Sequence, residues 1–185
     1  SERSARVESH LRRQLERAAF LAGQLRLGQL LQNASEGNPS WPAFQEQAAP
    51  ILREAQQNNP GVLEIWIAAP EGRVLAATHA PKIGGAVADD PDFLAGKKQP
   101  HLGIPEWVAG QWLSNVSAPI RNEQGRLLGV IVLQHEATSL RNLLEDRTGL
   151  EESGEILVGA RTNGTVRYLF PSTDADGALP PRSDV

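Results

Sequence analysis

With 185 residues, 40% of them hydrophobic and 22% charged, the chain has material for one good core and the composition of an ordinary globular protein, which excludes wholesale disorder. A formal net charge of −4 lacks the clustered Lys/Arg excess that phosphate binding needs, so no nucleic-acid partner is expected, and no basic membrane-surface patch is present. The absence of cysteine removes disulfides, zinc–thiolate sites and a cysteine nucleophile.

The longest apolar run, Leu127 to Leu133, falls far short of the roughly 20 residues of a membrane-spanning helix. The chain opens at Ser1 in a charged helical pattern rather than a signal peptide, and it reads as an excised piece of a longer protein. Residues 2 to 33 contain no proline, and Val7, Leu11, Leu15, Ala18, Ala22 and Leu25 recur at spacings of four and three. That spacing predicts one helix of about 48 Å with a projecting end, whose apolar stripe is either a core face or the seam of a parallel homodimer. Asn33 to Ser40 stops the helix. Ser40 is placed to cap a second one over Trp41 to Asn58, with Pro42 tolerated in its first turn and Pro50 expected to kink or restart it.

Two strand pairs of similar construction follow. Pro60 to Ala69 turns at Pro70-Glu71-Gly72 into Arg73 to Thr78, and Trp112 to Arg121 turns at Asn122-Glu123-Gln124-Gly125 into Arg126 to Gln134. Each turn ends in glycine, which accepts the positive φ that closes a hairpin. Alternation puts Leu63, Ile65 and Ile67 on one face and Glu64, Trp66 and Ala68 on the other. One face is expected to pack on helices and the other to meet a ligand. Leu127 to Leu133 is apolar on both faces, which predicts a central strand. Between the pairs, residues 79 to 110 are rich in Gly, Pro and Asp and read as an irregular functional loop, with one short helix at Asp90 to Ala95 under an Asp cap. Thr138 to Arg147 looks helical, and Glu155 to Ala160 with Thr165 to Phe170 flanks Thr162-Asn163-Gly164, a strong hairpin signal. The polar, turn-rich segment 172–185 reads as a flexible tail.

No nucleophile elbow, P-loop or dinucleotide fingerprint occurs, and Ser114, Ser117 and His135 are better read as sheet polar groups than as a catalytic set. No enzymatic role is expected of the segment. His79, Asp89, Asp90, Asp92 and His101 fall in one loop region, but their spacing fits neither an EF-hand nor a zinc motif; helix capping by Asp89 and Asp90 is the preferred account, and no metal or cofactor is expected. A small-molecule pocket is better supported. Trp66, Trp107 and Trp112 surround the sheet and its loop in a chain with four Trp and one Tyr, and such aromatic walls are usual in ligand sites. Ser114, Asn115, Ser117, His79 and Asp92 supply polar groups to orient a ligand, and Lys97, Lys98 and Arg121 offer attraction for an anion. The competing account is that the Trp side chains fill core.

The order and spacing of Gly61 to Thr78, Ile83-Gly84, Asp90-Pro91-Asp92-Phe93 and Ser117 to Leu133 resemble the Cache family of extracytoplasmic sensor domains, over roughly residues 1 to 170. Thr148 to Val158 is similar to the segment that begins the second lobe of tandem Cache sensors, particularly those of histidine kinases. The resemblance implies an α+β fold, a long N-terminal helix packed on a PAS-like antiparallel sheet. It implies a sensor domain over residues 1–147, a hairpin over 148–171 that starts a second lobe or docks on the first, and the tail. It further implies periplasmic or extracellular sensing of an unknown small molecule on behalf of a membrane-anchored parent. That parent is a sensor histidine kinase first, a chemoreceptor, diguanylate cyclase or phosphatase second; the alternative of a different class is a partner-binding module with a filled pocket and no small ligand. The amino-acid signature of some Cache receptors does not align here, so the resemblance names no ligand.

Overall fold

The computed structural model describes residues 2–37, 40–145, 159–162 and 165–168. Helices α1 (Glu2–Ala22), α2 (Leu25–Ser35) and α3 (Trp41–Gln57) precede strands β1 (Val62–Ala68) and β2 (Val74–Ala77). A 3-10 turn (Ala80–Lys82), α4 (Pro91–Gly96), β3 (His101–Leu102), β4 (Glu106–Val108), β5 (Gln111–Arg121), β6 (Leu127–Glu136) and α5 (Thr138–Glu145) follow. A separate antiparallel pair, β7 (Gly159–Thr162) and β8 (Thr165–Tyr168), brackets Asn163-Gly164. The predicted outer ends of this hairpin, the second-lobe segment 148–158 and the tail 172–185 lie outside the described residues. No described helix is long and apolar enough to cross a membrane.

The sequence predicts one unbroken helix over residues 2 to 33, and the structure corrects this. The chain turns at Gly23 and Gln24, the latter extended at φ −64°, ψ 115°. The buried stripe of α1 runs through Val7, Ala18, Leu21 and Ala22, whereas that of α2 runs through Leu27, Leu31 and Ala34. At 100° per residue, Leu27 on a continuous helix would sit roughly 120° to 140° around from Leu21 and Ala22. The break at the weak helix former Gly23 re-aims α2 so that both stripes reach one core. The same stripe answers the dimer-seam expectation, because Val7, Ala18 and Ala22 are buried within one chain, Leu15 packs on the core, and α1 lies against β5 and β6. Pro50 does not interrupt α3, which runs through it. Both Pro50 and Glu46, whose carbonyl loses its partner, are exposed, so water can satisfy the freed group. Ser40 precedes α3 in extended conformation without a side-chain capping bond.

The main sheet runs β2-β1-β6-β5-β3, with β4 also paired to β5, and every pairing is antiparallel. The apolar strand β6 is central, flanked by β1 and β5, as its two-sided hydrophobicity predicts. Gly72 and Gly125 close the two hairpins at φ +94° and +78°. β3 and β4 correct the expectation of an irregular 79–110 connection. β4 turns into β5 through Ala109 and Gly110, both at positive φ (49° and 87°), and Ala is a residue that does not announce such a turn.

The sheet separates two clusters. Ile65, Ile67, Val116, Ala118, Ile120, Ile131 and Leu133 meet the three N-terminal helices in the larger one. Trp66, Ala68, Val74, Ala77, Val130 and Val132 line the other face, covered by Phe93 of α4 and by Ile83 and Val87 of the connection. This second face carries the candidate site.

Candidate ligand site

Strand alternation and register assemble a row of polar side chains across the second face. Glu64 of β1 stands opposite Gln134 of β6, and Gln134 stands opposite Asn115 of β5. Gln134 Nε2 reaches Asn115 Oδ1 at 3.5 Å, and Asn115 Nδ2 donates to Asp92 Oδ2 at 3.1 Å. His101 Nε2 lies 3.3 Å from Asp92 Oδ1, and Ser117 Oγ donates to the Asp92 carbonyl at 2.7 Å. At the other end Lys82 Nζ bonds Glu64 Oε2 at 2.9 Å and sits 3.5 Å from the centroid of the Trp66 ring. The row therefore runs from Lys82 to His101.

Two features hold α4 over this row. Asp90 caps the helix, its carboxylate accepting from the backbone N–H groups of Asp92 and Phe93 at 2.8 and 2.9 Å. Gly96 and Gly103 then permit close approach: a Cβ on Gly96 would collide with Ser117 and one on Gly103 with the Asp92 carboxylate. Capping thus accounts for Asp90, and Asp92 is engaged by Asn115 and His101. Among the described residues no group of three or more His, Asp or Glu is arranged to hold a metal.

Of the residues singled out from sequence, Trp66, Asp92, Asn115 and Ser117 share this face. Ser114, Trp107 and Trp112 do not join them. Ser114 is the register partner of His135, and alternation along β5 places it with Val116 on the helix side. Trp112 has the same parity, is buried, and packs edge-on against Trp107, ring centroids 5.5 Å apart, while Trp107 is 48% exposed. The three Trp side chains therefore do not form one wall. His79 is exposed ahead of the 3-10 turn, where its carbonyl accepts from Lys82 N at 3.1 Å. Arg121 serves the backbone, donating to the carbonyls of Lys97 and Gly125. Ser117 lies across the sheet from Ser114 and His135, so these three are not assembled into a catalytic set.

Sequence reasoning missed Glu64 and Lys82 as members of this row. Alternation puts Glu64 beside Trp66 and was a usable signal; Lys82 comes from the connection, where no periodicity announces it. Two buried polar atoms here have no hydrogen-bond partner among the described residues, Glu64 Oε1 and the indole Nε1 of Trp66.

On the helix side, His135 is buried, and burial first, then Arg17 and His10, lowers its pKa to about 4. His10 is lowered by burial and by Arg13 and Arg17, and its Nε2 meets Gln14 Nε2 at 3.0 Å. A groove of about 310 Å³ between α1 and α3 is lined by Arg17, Phe20, Leu21, Ile51, Glu54 and Asn58 among others.

No protein-family model and no curated protein matches the sequence. Solved structures do. The sensor domain of Escherichia coli DcuS matches with a TM-score of 0.59 at 19% identity, over 76% of this chain and 98% of that one. The ligand-binding domain of the Pseudomonas aeruginosa PAO1 amino-acid chemoreceptor PctB, in complex with L-Arg, matches with a TM-score of 0.60 at 17% identity, over 96% of this chain and 64% of that one. The sensor domain of the Vibrio cholerae histidine kinase DctB matches with a TM-score of 0.53 at 15% identity, over 79% of this chain and 58% of that one. At 15–19% identity the likeness is one of fold: this chain's N-terminal helices on a six-stranded antiparallel sheet are consistent with the PAS-like Cache fold of these domains.

Proposed function

We propose that this chain is the extracytoplasmic small-molecule sensing domain of a membrane-bound sensor histidine kinase, working in two-component signal transduction from the periplasmic or extracellular side. The observation that carries this reading is the second sheet face. There a sensor fold presents a half-buried polar row under a loop-and-helix cover and, among the described residues, leaves Glu64 Oε1 and Trp66 Nε1 without partners. The likeness to the DctB and DcuS sensor domains supports the kinase. A ligand held between the sheet and residues 79–112 shifts the balance between two arrangements of that cover, by no more than its differential affinity for them. The chain itself performs no chemistry in this reading.

A chemoreceptor is the second reading, favoured by the match to PctB over 96% of this chain. In either case a homodimer through α1 would use the helix's outer face, since the inner stripe covers the sheet. A thermal-shift screen against amino acids, carboxylates, amines, purines and divalent ions tests the sensing role. A ligand at 100 times its Kd is expected to stabilise the domain by about 2.7 kcal/mol, a rise of several degrees in Tm. Silence across every class counts against direct sensing.

A further inference from the structure

We infer that Lys82 is an internal placeholder in a primary-ammonium site formed by the Trp66 ring and the Glu64 carboxylate, and that an amine ligand competes with it. This rests on the sensing reading above and names the ligand class. The Lys82 ammonium occupies the position such a ligand group would take, 3.5 Å from the indole centroid and 2.9 Å from Glu64 Oε2. Indole is the best cation–π partner among side chains, and a carboxylate beside it adds a charge-assisted hydrogen bond. The placeholder leaves the cage unsatisfied. Among the described residues, Glu64 Oε1 is a buried acceptor with no donor, and Trp66 Nε1–H is a buried donor with no acceptor. Such groups are uncommon in folded proteins because each carries its full desolvation penalty.

A molecule bearing an –NH3⁺ group supplies donors to both Glu64 oxygens while its charge lies over the ring. A hydroxyl, ether or carbonyl elsewhere on the molecule supplies the acceptor for the indole N–H. Exit of the Lys82 side chain needs no refolding: it is partly exposed, with 28% of its surface accessible. The surrounding backbone is held independently, through Lys82 N to the His79 carbonyl and Gly84 N to the Val74 carbonyl. The site also lies where its occupancy can be felt, because Lys82 belongs to the connection that covers the face and Ile83 packs against the Trp66 cluster.

The test titrates ethanolamine, with succinate at equal ionic strength as the anionic control, into the 185-residue chain and its Lys82→Met and Glu64→Gln variants. Indole N–H resonances in heteronuclear NMR report binding, with the Trp66 signal assigned from Trp66→Phe. Saturable movement of the Trp66 signal is expected with ethanolamine. Binding tightens about tenfold in Lys82→Met, as for a cage that Lys82 fills about nine-tenths of the time, and is lost in Glu64→Gln. Equal affinity in wild type and Lys82→Met overturns the proposal, as does binding that survives Glu64→Gln. Should Glu64→Gln fold poorly, the Lys82→Met comparison decides alone. Response to succinate but not ethanolamine overturns the ammonium cage and leaves small-molecule sensing intact; silence towards both overturns the cage and weakens the sensing reading with it.

Discussion

Asp92 shows how one residue ties the cover to the sheet. Its carboxylate accepts from Asn115 and pairs with His101, while its own carbonyl accepts from Ser117. Asp92→Ala removes the two carboxylate contacts and leaves the Ser117 bond in place. With the side chain 18% exposed, the loss is expected to be about 2 kcal/mol, a fall in Tm of roughly 4–8 °C by calorimetry. A fall below about 1 °C would show that solvent screens these contacts completely. That Asp92, Asn115 and Ser117 meet on one face was legible because short polar side chains at alternate strand positions, facing an Asp-capped helix, must satisfy one another. Ser114 was not separable from them by residue type, although its odd place in the period-two pattern put it on the helix side. Trp107 and Trp112 looked like ligand walls for the same reason that makes aromatic residues ambiguous: a ring pair fills an end of a sheet as well as it lines a pocket.

At the level of elements, the break between α1 and α2 decides which surface is left for association. The four-three stripe of α1 is used on the sheet, and Phe20, 72% exposed, stands on the outer side beside the α1–α3 groove. Phe20→Glu is therefore expected to leave Tm within about 1 °C of wild type, as surface substitutions usually do. In sedimentation equilibrium it should weaken self-association if α1 pairs two copies. Unchanged association would refer any dimer to another surface. The hairpins β1–β2 and β5–β6 were legible because their turns carry glycine at the positive-φ position and their strands alternate. The pair β4–β5 was not, since Ala109 occupies a left-handed position that sequence preference assigns to Gly, Asn or Asp.

Across the whole molecule, helices and sheet meet over a core that contains His135, and that placement makes stability depend on pH. Its pKa falls from 6.5 to about 4 on folding, through burial and the nearby Arg17 and His10. Between these values the unfolded chain binds the proton that the folded chain refuses. Stability contributed by neutral His135 is thus complete above pH 6.5, declines as pH falls, and levels off near pH 4, a total on the order of 3 kcal/mol. Chemical denaturation of wild type and His135→Leu across this window should show a shallower acid decline in the variant. Parallel profiles would mean that His135 protonates without loosening α1 from the sheet.

Sequence alone determined the α+β class, the central position of Leu127 to Leu133, the capped short helix and the two glycine-closed hairpins. Each of these follows from local rules, namely side-chain period, turn chemistry and the satisfaction of nearby backbone donors. The tertiary structure decided where the N-terminal helix breaks, that Pro50 passes without a break, and which polar residues share a face. It alone brought Lys82 onto Trp66 and Glu64. These outcomes depend on which surfaces compete for one core and on contacts between residues far apart in the chain, such as Lys82 with Glu64 and Asn115 with Asp92. No local period encodes such contacts, because they form only when the sheet and its covering loop have closed on each other.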